Sequence, residues 1–316
     1  MLRQIITRLV AIVPILLILS VFAFLLVHLA PGDVTDALLG PMATEEAKRN
    51  LREAMGLDRP LIVQYVTWLG NVLQGDFGVS VHTQRQVVDM VLPRFTNTVI
   101  LAGASLFLAL TVGFTVGMFA AARSHSLFDR VSMSTTLMVG SMPPYWLALL
   151  LVLAFALEYR WFPATGMTSI TGDGGLLDIL HHLVLPAIAT AAAPAAIITR
   201  MVRSSMLEVL GQNYVKVARA KGIPRRKILW RHALRNALPP IATISGLQLG
   251  FLLGGALFTE VVFAWPGLGN QLYYSIVARD VPVVQAAILI IALAFVLVNL
   301  AIDILNALLD PRVRTM

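Results

Sequence analysis

The sequence predicts an all-α polytopic membrane protein, a bundle of six transmembrane helices with both termini on the cytoplasmic side. Three observations carry this expectation. The 316-residue chain is 58% hydrophobic and only 13% charged, against roughly 45–50% and about 25% in soluble domains. Six stretches, 9–29, 98–122, 131–157, 183–199, 236–259 and 281–302, contain no Lys, Arg, Asp or Glu, and crossing a bilayer core of about 30 Å takes roughly 20 helical residues. The third is charge placement: residues 200–237 hold ten of the 24 Lys and Arg, with Glu208 their only acid.

The first stretch follows Arg3 and Arg8 and has no convincing small-residue cleavage site, so it reads as a retained span and not a removed signal peptide. With the N-terminus inside, inner segments carry 16 Lys and Arg and outer ones eight. Six of the outer eight lie in 30–97, a loop long enough to escape the positive-inside rule. The fourth stretch is the weakest, being short and interrupted by Pro186 and Pro194.

The loop 30–97 reads as an extracytoplasmic cap packed on the spans, a reading compatible with the sharper one that it also touches an external delivery protein. Thr44 is placed to cap a helix whose first turn holds Glu45 and Glu46. Ala47, Leu51, Ala54 and Met55 recur at helical spacing, and Gly56 is placed to stop that helix. A second apolar run, 61–73, ends at Gly75-Asp-Phe-Gly78. Within the spans, Gly113 and Gly117, and then Gly246, Gly250 and Gly254, form small-residue stripes that let helices pack closely in lipid. The whole chain, 1–316, reads as a single membrane domain.

The inner loop 200–237 is patterned beyond the needs of a connector. Asn213 can cap a short helix running to Lys221, Gly222 can end it in a left-handed conformation, and Pro224 suits the first turn of a second helix reaching Arg235. Pro239 and Pro240 then mark the start of the fifth span. An isolated eight-residue helix is unstable in water and needs a surface to pack on. Anionic lipid would account for the charge, though not for the order of Ala, Gly and Pro. DNA reading would be constrained by the short tethers to both spans. Docking on a cytoplasmic partner accounts for charge, shape and place together.

Ala218-Arg-Ala-Lys-Gly222, followed by His232-Ala-Leu-Arg-Asn-Ala-Leu-Pro239, resembles the coupling loop of ABC-importer permeases of the peptide/nickel class. Nine further motifs follow the family's order: His28-Leu-Ala-Pro-Gly-Asp33, Gly56-Leu-Asp-Arg-Pro60, Gly75-Asp-Phe-Gly78, Ser141-Met-Pro143, Phe162-Pro-Ala-Thr-Gly166, Arg203-Ser-Ser-Met-Leu207, Thr259-Glu260, Trp265-Pro-Gly-Leu-Gly269 and Asp310-Pro-Arg312. The long outer loop is similar to that of the first of the two permeases in such systems. The general importer pattern Glu-Ala-Ala falls on Lys216, Val217 and Ala218, so only its last position matches. The general Ile-x-Leu-Pro ending falls on His232 to Arg235 and keeps only Leu234. Both departures are usual in the peptide/nickel branch.

The resemblance implies a type I importer fold and a partnership with a second homologous permease, two ABC ATPase subunits, an extracytoplasmic solute-binding protein and membrane lipids, with no nucleic acid. It implies ATPase coupling through Asn213, Tyr214, Ala218, Arg219, Ala220, Lys221, Gly222 and Pro224. No cofactor is expected in this chain; ATP and Mg²⁺ belong to the ATPase subunits. Thr83-Gln-Arg-Gln86 and Ser141-Met-Pro-Pro-Tyr-Trp146 are similar to nickel-branch sequences, and peptide, glutathione and nickel-chelate cargo all stay open.

Ser141, Tyr145, Thr243, Gln248 and Asn299 are the polar span residues most able to line a solute path. His181 and His182 are adjacent and so do not share a helix face; an interfacial or capping role suits them better than a metal. Glu260 and Asp303 fall at span ends, within cheap reach of headgroups or water. No ionisable side chain lies mid-span, which argues against an ion pump built on intramembrane carboxylates. The chain has no GxxxxGK[ST], GxSxG or HExxH motif, and no cysteine, so thiol chemistry is excluded. The alternative is a self-sufficient channel or secondary carrier whose basic loop only anchors lipid.

Overall fold

A computed structural model describes residues 2–29, 43–55, 58–169 and 174–309. The described residues are mostly helical, with no strand beyond an isolated bridge between Val79 and Gln86. The motifs at 30–33, 56–57 and 310–312 lie outside them, as does the helix stop expected at Gly56.

Helix α1 (Leu2–Leu29) covers the first predicted span in 28 residues. In the outer loop, α2 (Glu45–Met55) is capped as expected: the Thr44 hydroxyl accepts the Ala47 N–H at 3.3 Å. Helix α3 (Leu61–Leu73) starts after Pro60 and rests on α1, where the Tyr65 and Ser20 hydroxyls are 2.8 Å apart. Helix α4 (Val87–Ala122) is a 36-residue element containing the second span.

The third span is not the continuous helix that 131–157 suggests. It is a pair, α5 (Leu127–Gly140) and α6 (Pro144–Glu158), bent by 101°. Two consecutive prolines cause the break. Pro143 disfavours helical backbone at Met142, and Pro144 suits a first helical turn, where its missing N–H costs nothing.

The stretch that looked weakest forms the centre of the bundle. Helix α7 (Leu176–Gly211) runs 36 residues through Pro186 and Pro194, and 67% of its most apolar window is buried, against 28–33% in the other long spans. Its buried Ala187, Ala189, Ala191 and Ala196 lower its hydropathy because this helix meets protein and not lipid. Gly113 and Gly117 bring α4 against it. A Cβ on Gly113 would stand 2.6 Å from Ile198, and one on Gly117 2.6 Å from the Thr199 carbonyl.

After α8 (Asn213–Ala220) the chain enters α9 (Arg225–Gly255), a single 31-residue helix with Pro239 and Pro240 inside it. The second loop helix and the fifth span are therefore one element, not two separated by the prolines. A π-helical segment, Ile228–Ala233, lies just before Leu234. Short helices α10 (Leu257–Val262) and α11 (Leu268–Val277) lead to α12 (Val281–Leu309). Gly246 and Gly250 admit Ile302 and Phe295 of α12 against α9, and Gln285 donates to the Ala23 carbonyl of α1 at 3.0 Å. The glycine stripes thus serve packing within the chain.

Candidate functional site

The basic loop is built around the closure of α8. Gln212, not Asn213, occupies the N-cap with extended backbone, and Asn213 is the first helical residue. At the other end the Ile223 N–H donates to the Ala218 carbonyl at 3.2 Å and the Gly222 N–H to the Arg219 carbonyl at 2.9 Å. This bond pair is the Schellman closure, which requires a left-handed residue after the cap; Gly222 supplies it at φ +76°. The apolar contact that accompanies such closures is present too, since Ile223 packs with Val215, Ala218 and Ile228.

Ala218 is therefore buried on its own chain, and the demand for a small side chain there is internal. What α8 leaves exposed is Asn213, Tyr214, Lys216, Val217, Arg219 and Ala220, with Lys221, Gly222 and Pro224 exposed beyond its end. Pro224 is the N-cap of α9, one position earlier than expected. Two hydrogen bonds hold the loop to the bundle: Asn236 donates to the Tyr214 hydroxyl at 2.7 Å, and the Arg225 guanidinium donates to the Ala122 carbonyl of α4. Trp230, exposed on the π-helical segment, adds an aromatic face that the sequence argument did not single out. The result is a rigid, basic, partly apolar protrusion rather than a loose tether.

Arg203 joins this protrusion to the broken span. Its guanidinium makes two hydrogen bonds to the Asp129 carboxylate in the first turn of α5. The same carboxylate accepts the His125 N–H, and the Ser126 side chain caps α5 by accepting from Asp129 N–H. Arg203 stood in one of the quoted motifs, but nothing in the sequence identified its partner 74 residues away.

The five polar span residues do not converge on one cavity. Ser141 ends α5 and bonds to the Leu137 carbonyl. Tyr145 begins α6 and faces Phe258 of α10, with ring centroids 6.2 Å apart. Both flank the break. Thr243 bonds back to the Pro239 carbonyl at 3.0 Å, and Gln248, half-buried, stands about 140° from it around α9 at 100° per residue. Asn299 bonds to the Phe295 carbonyl and lines a cleft of about 730 Å³ with Ile12, Ile15 and Ile288, between α1 and α12.

At the opposite end from the basic loop, Glu260 is fully buried, not exposed at a span end as its position suggested. Its carboxylate accepts from the Thr98 hydroxyl at 2.7 Å, from the Asn270 N–H at 2.9 Å and from the Gly269 N–H. The Thr98 oxygen in turn accepts the Leu268 N–H, and the Trp265 indole donates to the Asn97 carbonyl. The motif around Trp265 is thus a folded lid pinned to α4. His182 is buried with Nδ1 2.9 Å from the Asp178 carbonyl, and His181 bonds to the Trp161 carbonyl. Among the described residues no group of three His, Asp or Glu side chains could hold a metal.

A helical bundle of this length and apolarity, presenting a closed basic helix between two of its spans, is a multi-pass inner-membrane transport subunit. The chain belongs to the family of binding-protein-dependent transport system inner membrane components, whose model matches residues 113–315, while the family's N-terminal model matches 1–102. It is 40% identical over 314 residues to the glutathione transport system permease protein GsiC of Escherichia coli K12, covering 99% of each chain. It is 38% identical to the dipeptide transport system permease protein DppB of Alkalihalophilus pseudofirmus, across 99% of this chain and 100% of that one. Its fold is similar to a chain of the inward-facing MetNI methionine ABC transporter, at a TM-score of 0.58 and 18% identity, covering 70% of this chain and 96% of the other.

Proposed function

We propose that this chain is one of two homologous permease subunits of an ATP-driven importer for short peptides, glutathione among them. Both termini and the basic loop face the cytoplasm, as the excess of Lys and Arg in the short inner loops argues. Two ABC ATPase subunits bind the ATP and Mg²⁺ and carry clefts that receive α8. An external binding protein delivers the solute to the opposite end.

The observation that carries this reading is the closed, exposed helix α8, whose last turn is fixed by the Gly222 Schellman geometry. A helix held in this way moves as a body with α7 and α9. Movement of α7 reaches α5 through Arg203 and Asp129, and α5 ends at the break beside Ser141 and Tyr145. Alternating access is then a rocking of this broken span and its neighbours, driven by ATPase closure. The peptide class of cargo is supported by full-length similarity to a dipeptide and a glutathione permease.

Purification of the tagged chain from gently solubilised native membranes tests the partnership. Two ATPases, a second permease and a binding protein should co-purify, and liposomes holding the assembly should accumulate dipeptide or glutathione only with ATP. Flux through the chain alone, without ATP, overturns the reading in favour of a channel or carrier.

A further inference from the structure

The outer-loop helix α3 carries no charged side chain along its 13 residues. It is docked on the side of α1 and not beyond its end: Tyr65 meets Ser20 and Phe24, and Trp68 meets Phe24 with centroids 5.7 Å apart. Ser20 and Phe24 stand nine and five residues before the end of α1, about 14 and 8 Å short of it at 1.5 Å per residue. This places α3 at the depth of the apolar part of a membrane-spanning helix.

At 100° per residue, the faces of α3 separate cleanly. Tyr65, Trp68 and Val72 point toward α1. Ile62, Val66 and Leu73 fall within about 40° of one another and are 77%, 62% and 79% exposed. Gln64, Thr67 and Asn71 form a third, polar face within about 60°, roughly opposite that apolar stripe. Gln64 bonds to the Arg59 carbonyl at 2.8 Å, so its amide is satisfied locally. The charged residues Asp58, Arg59 and Asp76 lie just beyond the two ends. On the neighbouring α1, Ile18 and Phe22 are exposed as well, on the side turned away from α3 at 100° per residue, so α1 itself has a face free to meet lipid beside the docked helix.

We propose that α3 is a membrane-interfacial helix, lying in the leaflet at the Leu29 end of α1 with Ile62, Val66 and Leu73 among acyl chains and its Gln64–Thr67–Asn71 face toward headgroups and water. A helix with one apolar and one polar side is stable there because each side meets its own solvent, and Tyr and Trp favour that boundary. With the loop outside, the leaflet is the outer one. The proposal needs only that α1 crosses a bilayer, and it stands whether or not the peptide-import reading does.

The chain has no cysteine, so single replacements at exposed positions give defined label sites without removing any native thiol of this subunit. Ile62→Cys, Val66→Cys, Leu73→Cys and Thr67→Cys, each in the full chain assembled with its native subunits in liposomes, are nitroxide-labelled, with label on the subunits of the cysteine-free chain subtracted. Collision rates with oxygen, which enters lipid, and with a water-soluble nickel chelate are then compared. The ratio of oxygen to nickel collisions should be several-fold higher at 62, 66 and 73 than at 67. Equal and low ratios at Val66 and its neighbour Thr67 place the stripe in water, equal and high ratios sink both faces among acyl chains, and either overturns the proposal. Low collision with both reagents at 62, 66 and 73 means that a protein subunit covers the stripe, which overturns it equally.

Discussion

The guanidinium of Arg203 reaches the Asp129 carboxylate with two hydrogen bonds of 2.5 and 2.8 Å, tying the central helix α7 to the first turn of the broken span. Asp129 is buried and Arg203 about a quarter exposed. A two-bond fork holds direction as well as distance, so the pair acts as a strut where the basic loop and the bent span meet.

Replacing Arg203 with Met removes the strut and leaves a buried carboxylate with only the His125 N–H. The destabilisation should be about 2 kcal/mol, as for loss of a charged hydrogen-bond partner. Thermal unfolding of the detergent-solubilised assembly should show it, with ATP hydrolysis retained and solute accumulation reduced. Arg203→Lys keeps the charge but not the fork, and should fall between Met and wild type. Equal transport by all three would remove the strut from the mechanism.

Gly222 offers a graded test of the proposed coupling surface. A Cβ there meets nothing within 4 Å, so a substitution is resisted by the φ of +76° and not by crowding from this chain. Left-handed backbone costs most L residues about 1–2 kcal/mol, and Asn less. Gly222→Asn should therefore couple nearly normally and Gly222→Ala less well. Gly222→Arg should stay membrane-inserted while losing either the ATPase subunits on purification or the link between hydrolysis and uptake. Wild-type uptake by the Arg variant excludes docking at this turn.

These two sites differ in how far the sequence disclosed them. The end of α8 was legible because Gly and Pro punctuate backbone locally: Gly222 and the residues around it contain everything the closure needs. The strut was not, since Asp129 and Arg203 are 74 residues apart and only packing brings them together. Local chemistry also misled where tertiary context overrode it. The fourth stretch read as weak because it is short and holds Pro186 and Pro194, yet α7 runs 36 residues through both, with protein packed around it. Pro239 and Pro240 read as a boundary, yet α9 runs through them; Pro143 and Pro144 read only as motif residues inside a predicted span and break it by 101°. Glu260 read as solvent-reaching because an acid beside a span usually is. Its buried donors, Thr98 and the N–H groups of Gly269 and Asn270, belong to a lid whose fold no short window contains.

That lid makes an unusual prediction about Gly267. A Cβ on this residue would stand 2.3 Å from the Glu260 carboxyl group, and the acid is held by three donors and cannot withdraw. Gly267→Ala should thus sharply reduce folded protein. Glu260→Ala removes the obstacle while losing the hydrogen bonds, at about 1–3 kcal/mol for each donor left unpaired. The double variant Glu260→Ala/Gly267→Ala should be no less stable than Glu260→Ala alone, a departure from additivity expected only of groups in contact. Additive losses in melting temperature would show that the two residues do not touch.

The outer loop is held to the bundle by Asp280, which links two segments 200 residues apart. Its carboxylate accepts the Ser80 hydroxyl at 2.5 Å and the Val81 N–H at 3.2 Å, and both Asp280 and Ser80 are buried. The His82 ring bonds to the Ala278 carbonyl beside it. Asp280→Ala should free the turn around 79–86 without disturbing the basic loop at the far end. Hydrogen exchange should quicken at Ser80 and Val87, whose N–H groups bond within that turn to Arg85 and Gly78, while the Ile223 and Gly222 amides stay as protected as in wild type. Ser80→Ala removes one of the two bonds to Asp280 and also the Thr83 N–H bond to Ser80 Oγ, and should quicken exchange at the same amides and at Thr83. Faster exchange at both ends of the molecule would instead mean that Asp280 supports the whole bundle and not the outer turn alone.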